Sequence, residues 1–222
     1  MTTQATHDLF QAFSDEVREL HTTWVLWRRL FDRAPELRED PEAVVRAGDE
    51  AYRVTRETSE LMFRFVRWHM LRGALLDLCR LCDPKETMGK ENITLERVFE
   101  DTDFSKQPDL QMLTRNAMQE ALRIVRDGAG LKALRNQLLA HFDLETAMGR
   151  RAPADVDLDD VDLAVRWVVA FQCRVAAVHE GRPFDIQAAH PEVPKSLVDG
   201  WKAQADNLVR VLAAGLSKTN QI

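Results

Sequence analysis

The chain is poor in the residues that punctuate or staple small folds: 222 residues hold nine Gly, eight Pro, three Cys and one Tyr. So few Gly and Pro leave room for long uninterrupted elements. Three cysteines, Cys79, Cys82 and Cys173, are an odd number, so reduced thiols are expected in place of a disulfide framework. No apolar run approaches the ~20 residues that a membrane-spanning helix needs. Met1 to Asp8 lacks the basic start and apolar stretch of a secretory signal. The expectation is a soluble, cytoplasmic protein with no membrane partner. Strand signals are almost absent, because no stretch alternates apolar and polar residues with β-branched enrichment. Neither of the glycine-rich phosphate loops occurs, and no serine lies in a nucleophile elbow. No cofactor or metal is expected.

Positive charge is also short, with 30 basic against 36 acidic residues and a formal net charge of -6. Proteins that coat nucleic acid are usually basic, so a polynucleotide substrate would need a local basic site. One segment provides it. From Ala121 to Arg151 the side chains Arg123, Arg126, Lys132, Arg135, Arg150 and Arg151 outnumber Asp127, Asp143 and Glu145, a local +3.

Helical spacing dominates what is present. Phe10, Phe13, Val17, Leu20, Trp24, Trp27 and Phe31 step by three or four residues, which predicts a helix over Thr6 to Asp32 with one apolar stripe. A second tract runs from Pro41 to Cys82 through Leu61, Phe65, Trp68, Leu71, Leu75 and Leu78, and Asp83-Pro84 ends it. A polar loop, Pro84 to Asn92, precedes a short helix starting at Asn92 or Thr94. Asp109 to Asp127 is helical by pattern, Gly128-Ala129-Gly130 interrupts it, and Leu131 to His141 follows. Asp155, Asp157, Asp159 and Asp160 suit the start of a long helix ending at Gly181, since carboxylates favour the positive end of a helix dipole. Lys195 to Ser217 forms the last helix. The fold class expected is all-α, one domain over residues 1–222 built as a bundle of about six or seven helices. The tryptophans at 24, 27, 68, 167 and 201 are read as core.

Two constellations have a packing explanation. Cys79 and Cys82 form a C-x-x-C, and with His69 they suggest zinc, but a structural site needs four ligands and no second pair follows. Three residues apart on an apolar helix, the two cysteines share a face and fit a core. The acidic run Asp155 to Asp160 lacks the glycine and terminal glutamate of a calcium loop.

What remains is Leu134-Arg135-Asn136-Gln137-Leu138-Leu139-Ala140-His141-Phe142-Asp143. An Arg followed after a few residues by a His also occurs at Arg64 with His69 and at Arg174 with His179, so spacing alone identifies nothing. The fuller pattern Leu-Arg-Asn-x-x-x-Ala-His-Phe-Asp closely resembles the motif block of HEPN proteins associated with abortive infection. Leu75 to Pro84, followed by a polar loop and Asn92 to Leu95, looks like the upstream helix and loop of that group. The resemblance covers Leu71 to Asp143, with further helices from Asp155 to Ser217.

The resemblance implies a helical domain that forms a homodimer and brings two Arg/His pairs together across a two-fold axis, as a metal-independent endoribonuclease acting on an RNA substrate. Carried over, His141 is the acid/base, Arg135 neutralises the scissile phosphate and Asn136 orients the phosphate or its partner motif. A toxin or antiphage effector of this kind implies an antitoxin or other defence protein as a further partner. The chemistry is consistent: His titrates near neutral pH and can move protons both ways, and Arg offers a permanent fork-shaped charge to phosphate oxygens. Six residues of helix separate Arg135 from His141 by about 120° around the axis, which favours completion of the site by a second subunit. The place two residues after the histidine, a modified tyrosine in some HEPN proteins, is Asp143. Two alternatives stay open: a non-catalytic HEPN module that binds RNA, nucleotide or a partner protein, and a plain structural role in which His141 caps its helix and Arg135 pairs with Asp143 or Asp127.

Overall fold

The computed structural model describes residues 4–31, 60–134 and 156–181. In chain order these form α1 (Gln4–Phe31), α2 (Glu60–Leu81), a hairpin of β1 (Glu86–Thr87) and β2 (Lys90–Glu91), α3 (Leu95–Asp101), α4 (Pro108–Leu122), a π-helical turn (Arg123–Asp127), α5 (Ala129–Leu134) and α6 (Leu158–Glu180). The described residues are all-α in class, with five helices of seven residues or more. The chain divides into two compact units, Met1–His21 with Leu75–Val193 and Thr22–Ala74 with Pro194–Ile222.

The first unit is a bundle built round α6. Eleven of its 23 residues are buried, on more than one side of the helix, the pattern of a central helix. Its valines are poor helix formers, and packing compensates. The ends are set locally. The Asp157 carboxylate caps the start by accepting from the Asp159 N–H, and Gly181 closes the other end in the left-handed conformation at φ 63°, where a Cβ is costly.

Residues 4–21 of α1 lie antiparallel to α6: Phe10 stacks on His179 at 4.4 Å, Phe13 meets Phe171 edge-on at 5.6 Å, and Gln172 reaches Ser14 at 3.5 Å. From the other side, Arg174 donates to the Leu113 carbonyl of α4 at 3.2 Å. Leu75, Leu78, Cys79, Leu81 and Cys82 of α2 complete this core with Leu95 and Val98 of α3. The second unit, as far as it is described, centres on Trp24 and Trp27, stacked at 5.6 Å and both buried. Trp27 Nε1 donates to the Arg67 carbonyl at 2.9 Å, and the Arg28 guanidinium lies 5.7 Å from the Trp24 ring.

The predicted loop from Pro84 to Asn92 is instead a small hairpin. Thr87 pairs with Lys90 and Glu86 with Glu91, and both turn residues have positive φ, Met88 at 53° and Gly89 at 75°, as a two-residue hairpin turn of right twist requires. Asn92 holds the base of the hairpin by donating from its side chain to the Pro84 carbonyl and to Thr87 Oγ1, each at 3.0 Å. Thr94, one of the two predicted starts, caps α3 by accepting from the Arg97 N–H.

The predicted helix over Asp109 to Asp127 is continuous but changes pitch, α to Leu122 and π from Arg123 to Asp127. A π turn accommodates one extra residue. This turn keeps Ile124 and Val125 buried while Arg126 reaches the Cys82 carbonyl at the end of α2 and Glu96 of α3. Gly128 ends it, with its N–H on the Ile124 carbonyl at 3.2 Å. A Cβ on Gly128 would run into that same carbonyl oxygen. The variant Gly128→Ala is therefore expected to lose about 1–3 kcal/mol, measured as a lower urea midpoint at unchanged m-value. A midpoint equal to the parent's would show that the chain bends there without needing the close approach.

Candidate functional site

The residues assigned by the sequence motif, Arg135, Asn136 and His141, lie outside the described residues. The structure does describe the path to them. The α4 helix, the π turn, Gly128 and α5 carry the chain to Leu134, one residue before Arg135. Two arginines of the local basic segment are already engaged on this path. Arg123 makes a two-pronged contact with Glu120, at 3.0 and 2.8 Å. Arg126 splits its guanidinium between the Cys82 carbonyl at 2.7 Å and Glu96 at 2.8 Å. Arg126 anchors the approach in the bundle, and its charge is offset by Glu96.

The second Arg/His spacing, Arg174 with His179, is structural. Arg174 is 2% exposed and points to α4, while the His179 ring stacks on Phe10 of α1. Five residues of helix turn the two side chains toward different neighbours. Burial, and then the nearby charge of His7, hold the His179 imidazole below its usual pKa. At the third spacing, the His69 ring lies against Phe65 at 4.0 Å.

His21 is a buried histidine that the sequence reading passed over. It is 6% exposed, and burial lowers its pKa to about 4. The Asp162 carboxylate pulls the other way, but Arg166 donates to Asp162 at 2.7 Å and offsets it, so desolvation wins. The signal was present in the sequence: His21 directly follows Leu20 on the apolar flank of the α1 stripe.

Cys79 and Cys82 are 4% and 1% exposed, and burial pushes the Cys82 thiol far up, away from the reactive thiolate. Among the described residues no group of three or more His, Cys, Asp or Glu side chains is placed to hold a metal ion. Of the acidic run, Asp157 serves as the helix cap. No described helix is long and apolar enough to cross a membrane.

One expectation is corrected. Trp68, read as core, is 41% exposed, and Phe65 one turn before it is 62% exposed. Both were placed on the stripe that includes Leu75 and Leu78, which are buried. The α2 helix carries apolar residues on every side, so periodicity selects no unique buried face. The sequence held a different signal: from Leu61 to Leu76 there are three arginines and no acidic residue.

No family model, curated protein or solved structure matches the chain.

Proposed function

We propose that the chain is a metal-independent HEPN endoribonuclease acting as a toxin or antiphage effector, with a composite site formed by two copies of the Arg135/Asn136/His141 motif in a homodimer. The sequence block Leu134 to Asp143 carries this reading. The all-α class and the helical approach through α4 and α5 support it, as does the buried, structural role of Arg174, which removes a competing Arg/His pair.

In the proposed reaction one His141 takes the proton from the ribose 2′-hydroxyl, and the 2′-oxygen attacks phosphorus. The bond from phosphorus to the 5′-oxygen breaks, and the second His141 protonates that oxygen. The products are a 2′,3′-cyclic phosphate and a 5′-hydroxyl. Arg135 offsets the charge that builds on the non-bridging oxygens, and Asn136 orients them. Two histidines in opposite protonation states are needed, which a two-fold site supplies.

The second reading, a non-catalytic HEPN module that binds RNA, nucleotide or a partner protein, draws on the engagement of Arg123 and Arg126 by Glu120 and Glu96, which reduces the free positive charge beside the motif. The two readings part on one experiment. Purified protein is incubated with transfer RNA and total RNA, with and without EDTA, and the new ends are identified. Cleavage that persists in EDTA and leaves cyclic phosphate ends is the expected result. Cleavage abolished by chelation would sink the mechanism, and absence of cleavage in dimeric protein would favour the binding module.

A further inference from the structure

The α2 residues Phe65, Trp68, His69 and Arg72 fall within about 100° of arc around the helix and along about 10 Å of its axis. All belong to the second unit. Phe65 and Trp68 are 62% and 41% exposed, His69 is exposed and tilts against Phe65, and Arg72 is half-buried. Over Leu61 to Leu76 the chain has Arg64, Arg67 and Arg72 and no carboxylate, within a protein of net charge -6. Among the described residues neither Arg67 nor Arg72 makes an ion pair. Arg67 lies 6.0 Å from the Trp27 ring, on the opposite side of α2 from the exposed rings.

We propose that this stripe is a docking platform for single-stranded nucleic acid, with bases stacking on Trp68 and Phe65 and the Arg72 guanidinium holding the backbone. Charge selects the occupant: an acid-free arginine run repels a basic partner and suits a polyanion. The rings select further, because a ligand of phosphate alone gains nothing from two exposed aromatic faces, whereas every base offers a π-face. A membrane surface fits less well. Helices that lie in a lipid interface separate their apolar and charged faces, and here Arg72 shares the stripe with the rings. Duplexes keep their bases stacked internally and leave the rings unused. The proposal stands apart from cleavage by Arg135 and His141, because binding is read without turnover.

The experiment uses the full chain and fluorescence anisotropy of labelled 12-mers of oligo(U) and oligo(dT), with a 12-base-pair RNA duplex and anionic phosphatidylserine vesicles as competitors. Either single strand is expected to bind, and to bind more tightly than the duplex. Trp68→Ala should weaken binding by roughly 5- to 150-fold, the range for loss of one stacked base. Arg72→Gln should lower the slope of log K against log salt by about 0.7. Met112→Ala, an exposed methionine of α4 in the other unit, should leave affinity unchanged. No binding of either single strand, equal affinity in Trp68→Ala, preference for the duplex, or displacement only by vesicles overturns the proposal. So does a dimer that Trp68→Ala converts to monomer at unchanged oligonucleotide affinity. Trp68 and Arg72 are surface positions, and circular dichroism confirms that each variant is folded.

Discussion

His141→Ala is expected to lose on the order of 10²- to 10⁴-fold in the rate of RNA cleavage, with affinity for uncleaved RNA and the circular dichroism spectrum unchanged. Without a metal ion, the 2′-hydroxyl is a poor nucleophile and the 5′-oxygen a poor leaving group near neutral pH. Both barriers fall when a side chain moves a proton in the transition state, and imidazole is the group whose two forms coexist there. Alanine removes that exchange while leaving the Arg135 charge in place, so some rate enhancement through phosphate binding survives. The control is His179→Ala. His179 has the same sequence relation to Arg174, but its ring is stacked on Phe10. Its loss should lower stability and leave cleavage per folded molecule unchanged. Equal activity in His141→Ala and the parent would end the proposed mechanism. Equal losses in both variants would indicate a general effect of damage to the bundle.

The second large effect concerns acid. Buried His21 has its pKa lowered from 6.5 to about 4. The folded state therefore binds fewer protons than the unfolded state in this window. The stability tied to the neutral imidazole is fully present above pH 6.5 and drains away as pH falls toward 4. Below that the loss levels off, on the order of 3 kcal/mol. His179, lowered by burial and by His7, adds a loss in the same direction. Urea unfolding from pH 7.5 to 3.5 measures it, with His21→Gln as comparison, since the amide is isosteric in part and does not titrate. The difference in stability between parent and variant should shrink steadily below pH 6.5. A difference that stays constant with pH would mean that His21 protonates in the folded bundle at no cost.

Where the sequence spoke clearly, a local rule and the long-range packing agreed. The steps Phe10, Phe13, Val17, Leu20, Trp24 and Trp27 are all buried on α1. Asp157 and Gly181 close α6 as their chemistry suggests, and Thr94 caps α3. Asp83-Pro84 ends α2, which stops at Leu81. The hairpin was not legible because two-residue strands have no period, and Met88 is not a residue that announces a positive φ; Gly89 was the only cue. The π turn was hidden because one inserted residue leaves composition and apolar content unchanged. The exposed stripe of α2 was misread because a helix apolar on all sides offers several equally good phases. Of the site, the motif is a property of the sequence alone, and Arg135, Asn136 and His141 lie outside the described residues. What the structure adds is the fate of its neighbours, above all the ion pairs that occupy Arg123 and Arg126.

Those ion pairs depend on the π turn, and this gives the segment an unusual mutational character. Deleting one residue between Arg123 and Asp127 would let the turn relax to an α-helix and swing whatever follows by about 100°. Arg126 would then leave the Cys82 carbonyl and Glu96, and Gly128 would leave its place against Ile124. Many side-chain exchanges on the outer surface of this turn change nothing that holds it. A change in its length changes everything downstream, so the number of residues here is under tighter constraint than their identity.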